Sequence, residues 1–411
     1  MNFDKNEIIK KYFGYQLKQE QADIIDNVLN NKDVIGLLPT GFGKSVTFQV
    51  PALMLDGLTI VISPLIALMQ DQVMSLKRRG IPSEYINSLQ DNDSQDKIYE
   101  ALKRNEIKIL YVSAERLKST RFLNEILNID ISLLVCDEAH TLLWSEDFRE
   151  ALGDIPLFIK KLRKRPKMLA LTATATEITA SKITKFLSLN NPVVIKGDCD
   201  RKNIFYRNIK TNDKDRDLYF YVSRRKGIHG LIYALTIKQC EHIYNFLREK
   251  NINAALYHGA LDSKIKKKVL EDYISHKIDV VVCTQAFGMG VDVSDVRYVI
   301  EYDMPQSIED YLQQTGRGSR DGKYAEGILY FNSRDIETIE YFIGNISSEN
   351  KSDKEIKIIK ADRYKKLDKM VNYALSKKCL HGLIADYFGF KHKGKCMMCS
   401  NCKKMIMNRY L

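Results

Sequence analysis

Long hydrophobic runs, repeats and tryptophan are scarce or missing in this sequence. No apolar run approaches the roughly 18 residues that a membrane-spanning helix needs, and residues 1–7 carry no signal-peptide pattern. The chain has no short-period repeat and no low-complexity tract, and Trp144 is its only tryptophan. These absences exclude a helical membrane protein and a repeat protein, and they predict an intracellular, cytoplasmic chain without a membrane partner.

Acidic residues are outnumbered by basic ones. The 64 lysines and arginines exceed the 52 aspartates and glutamates, which leaves a formal net charge of +12 and a pI near 9.1. A surplus of positive charge favours an anionic partner, most simply a nucleic-acid backbone. A lysine-rich surface that only maintains solubility is the alternative, and charge alone leaves it open.

Short apolar runs alternate with charged, helical segments along most of the chain. At 411 residues the chain is too long for one ordinary core, and the runs form two series that join near residues 200–215. The runs cover residues 33–38, 58–63, 107–112, 131–136 and 168–172, then 230–234, 254–257, 279–283 and 297–301. This pattern predicts two tandem α/β domains with parallel sheets covered by helices. After about Ile346 the sequence becomes helical and lysine-rich.

A phosphate-binding loop is indicated where the first run ends. Residues 38–45 have the sequence Leu-Pro-Thr-Gly-Phe-Gly-Lys-Ser, whose small residues let backbone amides converge on phosphate oxygens at a helix start. Lys44 is predicted to reach the outer phosphates and Ser45 to bind Mg²⁺. Leu38 stands where the strict pattern has glycine, so a turn that binds no phosphate is the alternative. The residues predicted to contact ATP here are Thr40, Gly41, Gly43, Lys44 and Ser45.

Two carboxylates follow the buried run 131–136. Asp137 is placed to hold the magnesium ion through water, and Glu138 to orient or deprotonate the attacking water, as phosphoryl transfer requires. Adjacent acids at a strand end are often only solvated loop residues. Together with the Gly-Lys-Ser turn, they predict a site that hydrolyses Mg-ATP.

These motifs resemble those of superfamily 2 helicases, and within them the RecQ family, along nearly all of the chain. The similar segments, in the family's order, are residues 14–21, 38–45, 63–72, 113–117, 137–140, 171–175, 285–292 and 313–321. The resemblance implies two RecA-like domains followed by a small helical zinc-binding subdomain. Their predicted limits are residues 1–206, 207–345 and 346–411.

Further residue roles are implied by the resemblance. Gln21 would select adenine, with Lys18 standing where an arginine is usual. Arg320 would be the arginine finger that reaches the γ-phosphate, a residue typically worth roughly 10³ to 10⁵ in rate. Arg317 would contact ATP or stabilise the domain interface. Gly318-Ser319 stands where the family usually has an alanine-glycine pair.

The loop after His140 resembles the family's aromatic-rich loop, which couples single-stranded DNA binding to hydrolysis. Trp144 and Phe148 can stack on bases of any identity for about 1 to 3 kcal/mol each, and Arg149 can pair with phosphate. A tryptophan that anchors the core is the alternative. Trp144 lies one residue nearer the acidic motif than usual, and Glu146 replaces a common histidine. We therefore expect the coupling between DNA binding and hydrolysis to be weaker or differently tuned in this chain.

Four of the eight cysteines crowd the end of the chain. Their spacing, two short Cys-x-x-Cys steps and a distant fourth thiolate, predicts metal ligation rather than disulfides in a reducing compartment. Such a set suits a closed, structural Zn²⁺ site with tetrahedral geometry. His392 is a further candidate ligand. The predicted zinc ligands are Cys379, Cys396, Cys399 and Cys402.

The combined prediction is a DNA-stimulated ATPase that uses ATP, Mg²⁺ and Zn²⁺ and, by family resemblance, moves 3′ to 5′ along single-stranded DNA. Single-stranded and forked DNA are the expected partners, and a monomer is expected. The sequence ends nine residues after Cys402, without the winged-helix domain that RecQ-like chains often carry. We therefore expect weak unwinding unless an accessory protein separates the strands.

Two other functions stay open on the sequence alone. An RNA-directed or remodelling translocase would use the same motifs, because such motors contact the nucleic-acid backbone more than the bases. A non-catalytic, zinc-dependent DNA-binding protein with a degenerate nucleotide site is the alternative of another class. The residues that argue against the second alternative are Lys44, Asp137, Glu138 and Arg320.

Overall fold

The fold consists of two compact units, Met1–Asp198 and Cys199–Leu411. It is taken from a computed structural model of the chain. The residues that the structure describes are 4–39, 42–63, 66–87, 90–139, 155–172, 177–198, 201–287, 293–346, 353–392 and 394–407. Within these ranges, each unit is built around one parallel sheet.

The first sheet contains seven described strands. They are β1 (Val34–Leu37), β2 (Leu58–Ile62), β3 (Ser83–Ile86), β4 (Ile109–Val112), β5 (Ile131–Cys136), β6 (Lys167–Thr172) and β7 (Val193–Lys196). Their spatial order is β3-β4-β2-β5-β6-β1-β7, and every pairing is parallel.

The second sheet contains six described strands. They are β8 (Ile204–Lys210), β9 (Gly230–Tyr233), β10 (Ala254–Tyr257), β11 (Val280–Cys283), β12 (Tyr298–Glu301) and β13 (Ala325–Phe331). Their order is β10-β11-β9-β12-β13-β8, again with parallel pairing throughout.

Helices alternate with the strands in both units. Those of the first unit are α1 (Lys5–Tyr12), α2 (Gln19–Leu29), α3 (Val46–Met54), α4 (Ile66–Arg78), α5 (Asn92–Lys103), α6 (Thr120–Ile126), α7 (including residues 155–161) and α8 (Glu177–Phe186), with a 3₁₀ helix at Ala114–Lys118. Those of the second are α9 (Lys214–Val222), α10 (Ile237–Glu249), α11 (Ser263–Ile274), α12 (Ile308–Thr315), α13 (Ser333–Gly344), α14 (Asp353–Leu375), α15 (Leu380–Tyr387) and α16 (Ser400–Met407). Among the described residues, no helix has the length and apolar character to cross a membrane.

Local sequence explains why these elements form. Every residue of β1, β2 and β4 is buried, as continuous apolar strands are when helices cover both faces of a parallel sheet. Helix α10 shows the complementary pattern, because its buried Cys240, Ile243 and Leu247 recur every three to four residues. Thr236 caps this helix by accepting a hydrogen bond from the backbone N–H of Gln239 at 3.1 Å.

The predicted fold class is confirmed: two RecA-like parallel sheets are followed by a helical C-terminal region. Each of the nine predicted apolar runs overlaps a strand. Strand β8 was not predicted, and it lies inside the segment expected to join the domains, where it pairs with β13 along its whole length. The predicted limits after residues 206 and 345 stay predictions, because strand pairing alone does not define where a domain begins.

The C-terminal helices pack against the second sheet. Met370 and Tyr373 of α14 and Leu380 of α15 share one hydrophobic core with Tyr206 of β8 and Tyr311 of α12. The cysteine-rich end of the chain therefore belongs to the same compact unit as the second sheet.

Candidate nucleotide and zinc sites

The predicted nucleotide-binding residues meet at the carboxyl end of the first sheet. Strand β1 leads into the loop 38–45, and β5 ends directly before Asp137 and Glu138. Strand β6 lies between β1 and β5. Carboxyl ends of parallel strands share one edge, and α/β proteins bind ligands outside that edge.

An ion pair joins the loop to the acidic residues. Lys44 Nζ lies 2.6 Å from Glu138 Oε1, and the two side chains are only 13% and 19% exposed. The backbone N–H of Glu138 donates to Asp137 Oδ1 at 3.0 Å, and the N–H of Asp137 donates to the carbonyl of Ile62 at 3.0 Å. Lys44 thus forms one cluster with Asp137 and Glu138, although it lies far from both in the sequence.

Burial dominates the electrostatics of this cluster. It raises the pKa of Asp137, the negative charge of Glu138 raises that pKa further, and the charge of Lys44 opposes both effects. With all three groups ionised, the cluster carries one net negative charge. A divalent cation beside Asp137 would relieve the repulsion between the carboxylates. This charge balance fits Mg²⁺ held by Asp137 and Ser45, the residue at the start of α3.

Gln21 is bound to the backbone of the phosphate-binding loop. Its Nε2 donates to the carbonyls of Phe42 at 2.8 Å and Gly43 at 3.1 Å, and its Oε1 accepts from the backbone N–H of Lys18 at 2.8 Å. Lys18 Nζ lies 3.9 Å from the centre of the Phe42 ring. Gly43 has a φ of +84°, and a Cβ there would lie 2.7 Å from Gln21 Nε2. The side chain predicted to select adenine therefore also supports the loop.

The second unit carries the two predicted arginines in the segment after α12. Arg320 is half-buried, whereas Arg317 is only 7% exposed. Burial raises the pKa of Glu301 well above its usual range, neighbouring aspartates add to the rise, and the charge of Arg317 opposes it. The positive charge of Arg317 therefore favours the ionised form of this buried carboxyl group, against the effect of burial.

Ser319 keeps a left-handed turn where the resembling family usually has glycine. Its φ is +53° and its side chain is fully buried. A left-handed residue other than glycine costs about 1–3 kcal/mol and persists only where its surroundings hold it. The Ser319 hydroxyl accepts from Asn203 Nδ2 at 2.9 Å and donates to the carbonyl of Lys323. These contacts explain how the turn forms without glycine.

Four cysteine sulfurs converge beside α15 and α16. The backbone N–H groups of Leu380 and Met398 donate to two of these sulfurs at 3.4 and 3.3 Å, and such second contacts orient metal ligands. His392 Nε2 lies 3.5 Å from the sulfur of Cys379, beside a set that already offers four ligands. The sulfurs that all lie within 4.8 Å of one another are those of Cys379, Cys396, Cys399 and Cys402.

A second group of nitrogen and oxygen ligands does not converge in the same way. His229, His276 and Asp295 offer ligand atoms within 4.8 Å of one another. The rings of His229 and His276 are stacked, with centroids 4.2 Å apart and 15° between their planes. Because the lone pair of an imidazole nitrogen lies in the ring plane, two nearly parallel rings do not direct their lone pairs at one ion. We assign no metal to this group.

Family comparisons agree with the order of these sites along the chain. The models that match are DEAD/DEAH box helicase over residues 18–183, Helicase conserved C-terminal domain over 213–322 and RecQ zinc-binding over 333–403. ATP-dependent DNA helicase RecQ of Bacillus subtilis is 36% identical over 96% of this chain and 66% of its own length. RecS of the same organism, provisionally named an ATP-dependent DNA helicase, is 37% identical over 81% of this chain and 68% of RecS. The chain belongs to the RecQ family.

Relatives of this RecQ-family chain differ in length and in name. The chain spans 62–66% of the length of three bacterial RecQ helicases that it matches. R290 of Acanthamoeba polyphaga mimivirus, provisionally named an ATP-dependent RNA helicase, is 35% identical over 96% of this chain and 71% of its own length.

Solved helicase structures share the fold of the RecQ-family chain. MrfA bound to DNA matches with a TM-score of 0.69 at 18% identity, over 98% of this chain and 60% of that one. Mss116 bound to single-stranded RNA matches with a TM-score of 0.68 at 16% identity, over 94% of this chain and 92% of Mss116. Similarity at this level of identity establishes the architecture only.

Several predicted residues of the RecQ-family chain lie outside the described ranges. They are Thr40 and Gly41 of the phosphate-binding loop, and Trp144, Phe148 and Arg149 of the aromatic-rich loop. The residue roles stay predictions. Sequence reasoning missed Arg201 and Asn203, which donate hydrogen bonds to the loop that carries Arg320. No motif in the sequence around Arg201 indicates this contact, so only the fold could reveal it.

Proposed function

We propose that this RecQ-family chain is a DNA-stimulated ATPase that moves along single-stranded DNA in the 3′ to 5′ direction and unwinds forked duplexes. The observation that carries the proposal is the 2.6 Å ion pair between Lys44 and Glu138 beside Asp137. A lysine and two carboxylates at the carboxyl end of a parallel sheet form the charge pattern that phosphoryl transfer from Mg-ATP requires.

Each residue of the nucleotide site receives a distinct role in the proposal. Lys44 binds the outer phosphates, while Ser45 and Asp137 would hold Mg²⁺, which would supply positive charge to offset the charge that develops on the phosphate oxygens. Glu138 orients the attacking water and accepts its proton. Because Glu138 already contacts Lys44, the water would be activated next to the phosphate that Lys44 binds.

Residues around this centre complete the nucleotide proposal. Gln21 selects adenine and holds the loop, with Lys18 beside it. Thr40, Gly41 and Gly43 direct backbone amides at phosphate. Arg320 senses the γ-phosphate.

Zn²⁺ is proposed to bind the four cysteines and to act structurally. The four sulfurs lie within 4.8 Å of one another, and those of Cys396 and Cys399 accept backbone N–H groups, which fits a closed tetrathiolate site. The backbone of the ligand Cys399 pairs with that of Tyr206 in β8. Bound zinc would therefore stabilise the junction between the C-terminal helices and the second sheet.

DNA is the proposed activator for reasons of charge, chemistry and family. The net charge of +12 favours a polyanion, and the predicted aromatic loop with Trp144, Phe148 and Arg149 supplies stacking groups and a cation. Bacterial relatives named RecQ are called DNA helicases. A monomer, an intracellular location and an accessory strand-separating protein stay predictions.

An RNA-directed translocase is the second candidate, favoured by the similarity to R290. Measuring ATP hydrolysis with DNA and RNA homopolymers of equal length separates the two candidates. We expect DNA to stimulate more strongly, and stronger stimulation by RNA would refute the DNA assignment. No stimulation by either polymer would support a non-catalytic DNA-binding protein.

The decisive experiment combines ATP hydrolysis with strand displacement on 3′-tailed, 5′-tailed and blunt duplexes. We expect the 3′-tailed duplex to be unwound fastest, and preference for the 5′ tail would overturn the polarity. Lys44→Ala should abolish hydrolysis. The matched control is Lys103→Ala, which removes an exposed lysine paired with Glu100 and Glu125 and should leave hydrolysis unchanged.

A further inference from the structure

One arginine outside the predicted sites is hydrogen bonded to the loop that carries Arg320. Arg201 Nη1 donates to the carbonyl of Gly316 at 3.1 Å, and its Nη2 donates to the carbonyls of Gly318 and Ser319 at 3.0 Å each. Hydrogen bonds from a charged donor are shorter and stronger than those between neutral groups. One guanidinium thus holds three backbone carbonyls in the four residues before Arg320.

A neighbouring amide holds the other half of the same loop. Asn203 Nδ2 donates to the carbonyl of Ser319 at 3.1 Å, to its hydroxyl at 2.9 Å and to the carbonyl of Lys323 at 3.1 Å. The carbonyl of Asn203 accepts from the N–H of Ala325, the first residue of β13. Asn203 is therefore tied both to the loop and to the strand that follows it.

The loop needs such support for two reasons. Gly316 ends helix α12, and the last carbonyls of a helix lack partners within the helix. A cation at this end also interacts favourably with the helix dipole. In addition, Ser319 holds a φ of +53° without being glycine, which requires that its surroundings restrain it.

We propose that Arg201 and Asn203 are positioning residues for Arg320, an inference that rests on the proposed ATPase function. They fix the carbonyls on the N-terminal side of Arg320 and so set the direction in which its side chain leaves the loop. Neither residue contacts ATP in this proposal. Burial lowers the pKa of Arg201, Tyr206 opposes this shift, and the positive charge of Arg320 lowers the pKa further.

The expected effect falls on the rate of hydrolysis more than on ATP binding. A displacement of about 1 Å in a catalytic group can cost about 100-fold in rate, and Arg320 acts when charge develops on the γ-phosphate. Arg201→Gln should therefore lower kcat by about 10- to 100-fold with little change in KM for ATP. Arg201→Lys retains the positive charge but loses the two-pronged guanidinium group that reaches the three carbonyls. Its kcat should therefore lie between those of Arg201→Gln and the wild type.

A double-mutant cycle separates positioning from general destabilisation. If Arg201 acts through Arg320, the loss caused by Arg201→Gln should vanish in an Arg320→Ala background. An equal loss in both backgrounds would overturn the proposal. The matched control is Arg207→Gln, in strand β8 just after Arg201, whose guanidinium pairs with Glu326 at 3.7 Å. This control should leave kcat unchanged in either background.

Hydrogen exchange provides a readout that does not require ATP hydrolysis. Arg201→Gln and Asn203→Ala should each speed exchange of the amides of residues 316–323, while the amides of the central strand β9 stay protected. Unchanged exchange in the loop would overturn the positioning role. If the wild type hydrolysed no ATP while both variants still showed faster exchange in residues 316–323, the proposed function would be refuted and the structural contact would stand.

Discussion

Replacing Gly43 by alanine tests the geometry of the phosphate-binding loop directly. Gly43 adopts a φ of +84°, and an added Cβ would lie 2.7 Å from Gln21 Nε2. Both the backbone conformation and the contact with Gln21 therefore oppose a side chain at this position. We expect Gly43→Ala to weaken ATP binding without unfolding the first unit.

The expected magnitude follows from these two contributions. A left-handed alanine costs about 1–3 kcal/mol, and each hydrogen bond that Gln21 loses to the loop costs about 0.5–1.5 kcal/mol. Because 1.4 kcal/mol corresponds to about tenfold in affinity, we expect ATP binding to weaken by at least tenfold even if part of the cost falls on stability.

Titration with a fluorescent ATP analogue and Mg²⁺ measures the loss of ATP affinity, and thermal unfolding measures the loss of stability. Gly80→Ala is the matched control, because Gly80 has a φ of +75° and nothing within 4 Å of an added Cβ. It should lower the free energy of unfolding by about 1 kcal/mol and leave ATP affinity unchanged. If Gly43→Ala bound ATP as tightly as the wild type, the reasoning from loop geometry would be wrong.

Three further predictions concern the other candidate residues. Glu138→Gln keeps a polar partner for Lys44 but removes the proton acceptor, so ATP binding should persist while single-turnover hydrolysis falls by about 10² to 10⁴; unchanged hydrolysis would exclude Glu138 as the base. Cys399→Ser should lower zinc content measured by mass spectrometry, whereas Cys240→Ser, a buried cysteine outside the cluster, should not; equal zinc contents would remove the ligand assignment. Trp144→Ala should reduce stimulation of ATP hydrolysis by DNA and leave ATP affinity intact; an equal loss of ATP affinity would indicate a packing role.

The fold was largely predictable because central strands and motif positions depend on local sequence. Strands β1, β2 and β5 are continuous apolar runs, and each appears where it was predicted. Three of the four strands that were missed, β3, β7 and β8, lie at sheet edges. An edge strand pairs on one side only and tolerates polar side chains, so it lacks the apolar run that identifies a central strand.

The sequence by itself determined the chemical groups: a Gly-Lys-Ser turn, two adjacent carboxylates, four cysteines with metal-ligand spacing and paired arginines. These signals are short, so a few neighbouring residues suffice to identify them. Only the tertiary structure decided that Lys44 contacts Glu138, that Gln21, which was predicted to select adenine, also supports the phosphate-binding loop, and that Arg201 holds the loop before Arg320. Each of these contacts joins residues that are distant in the chain, and strand order and register determine which of them meet.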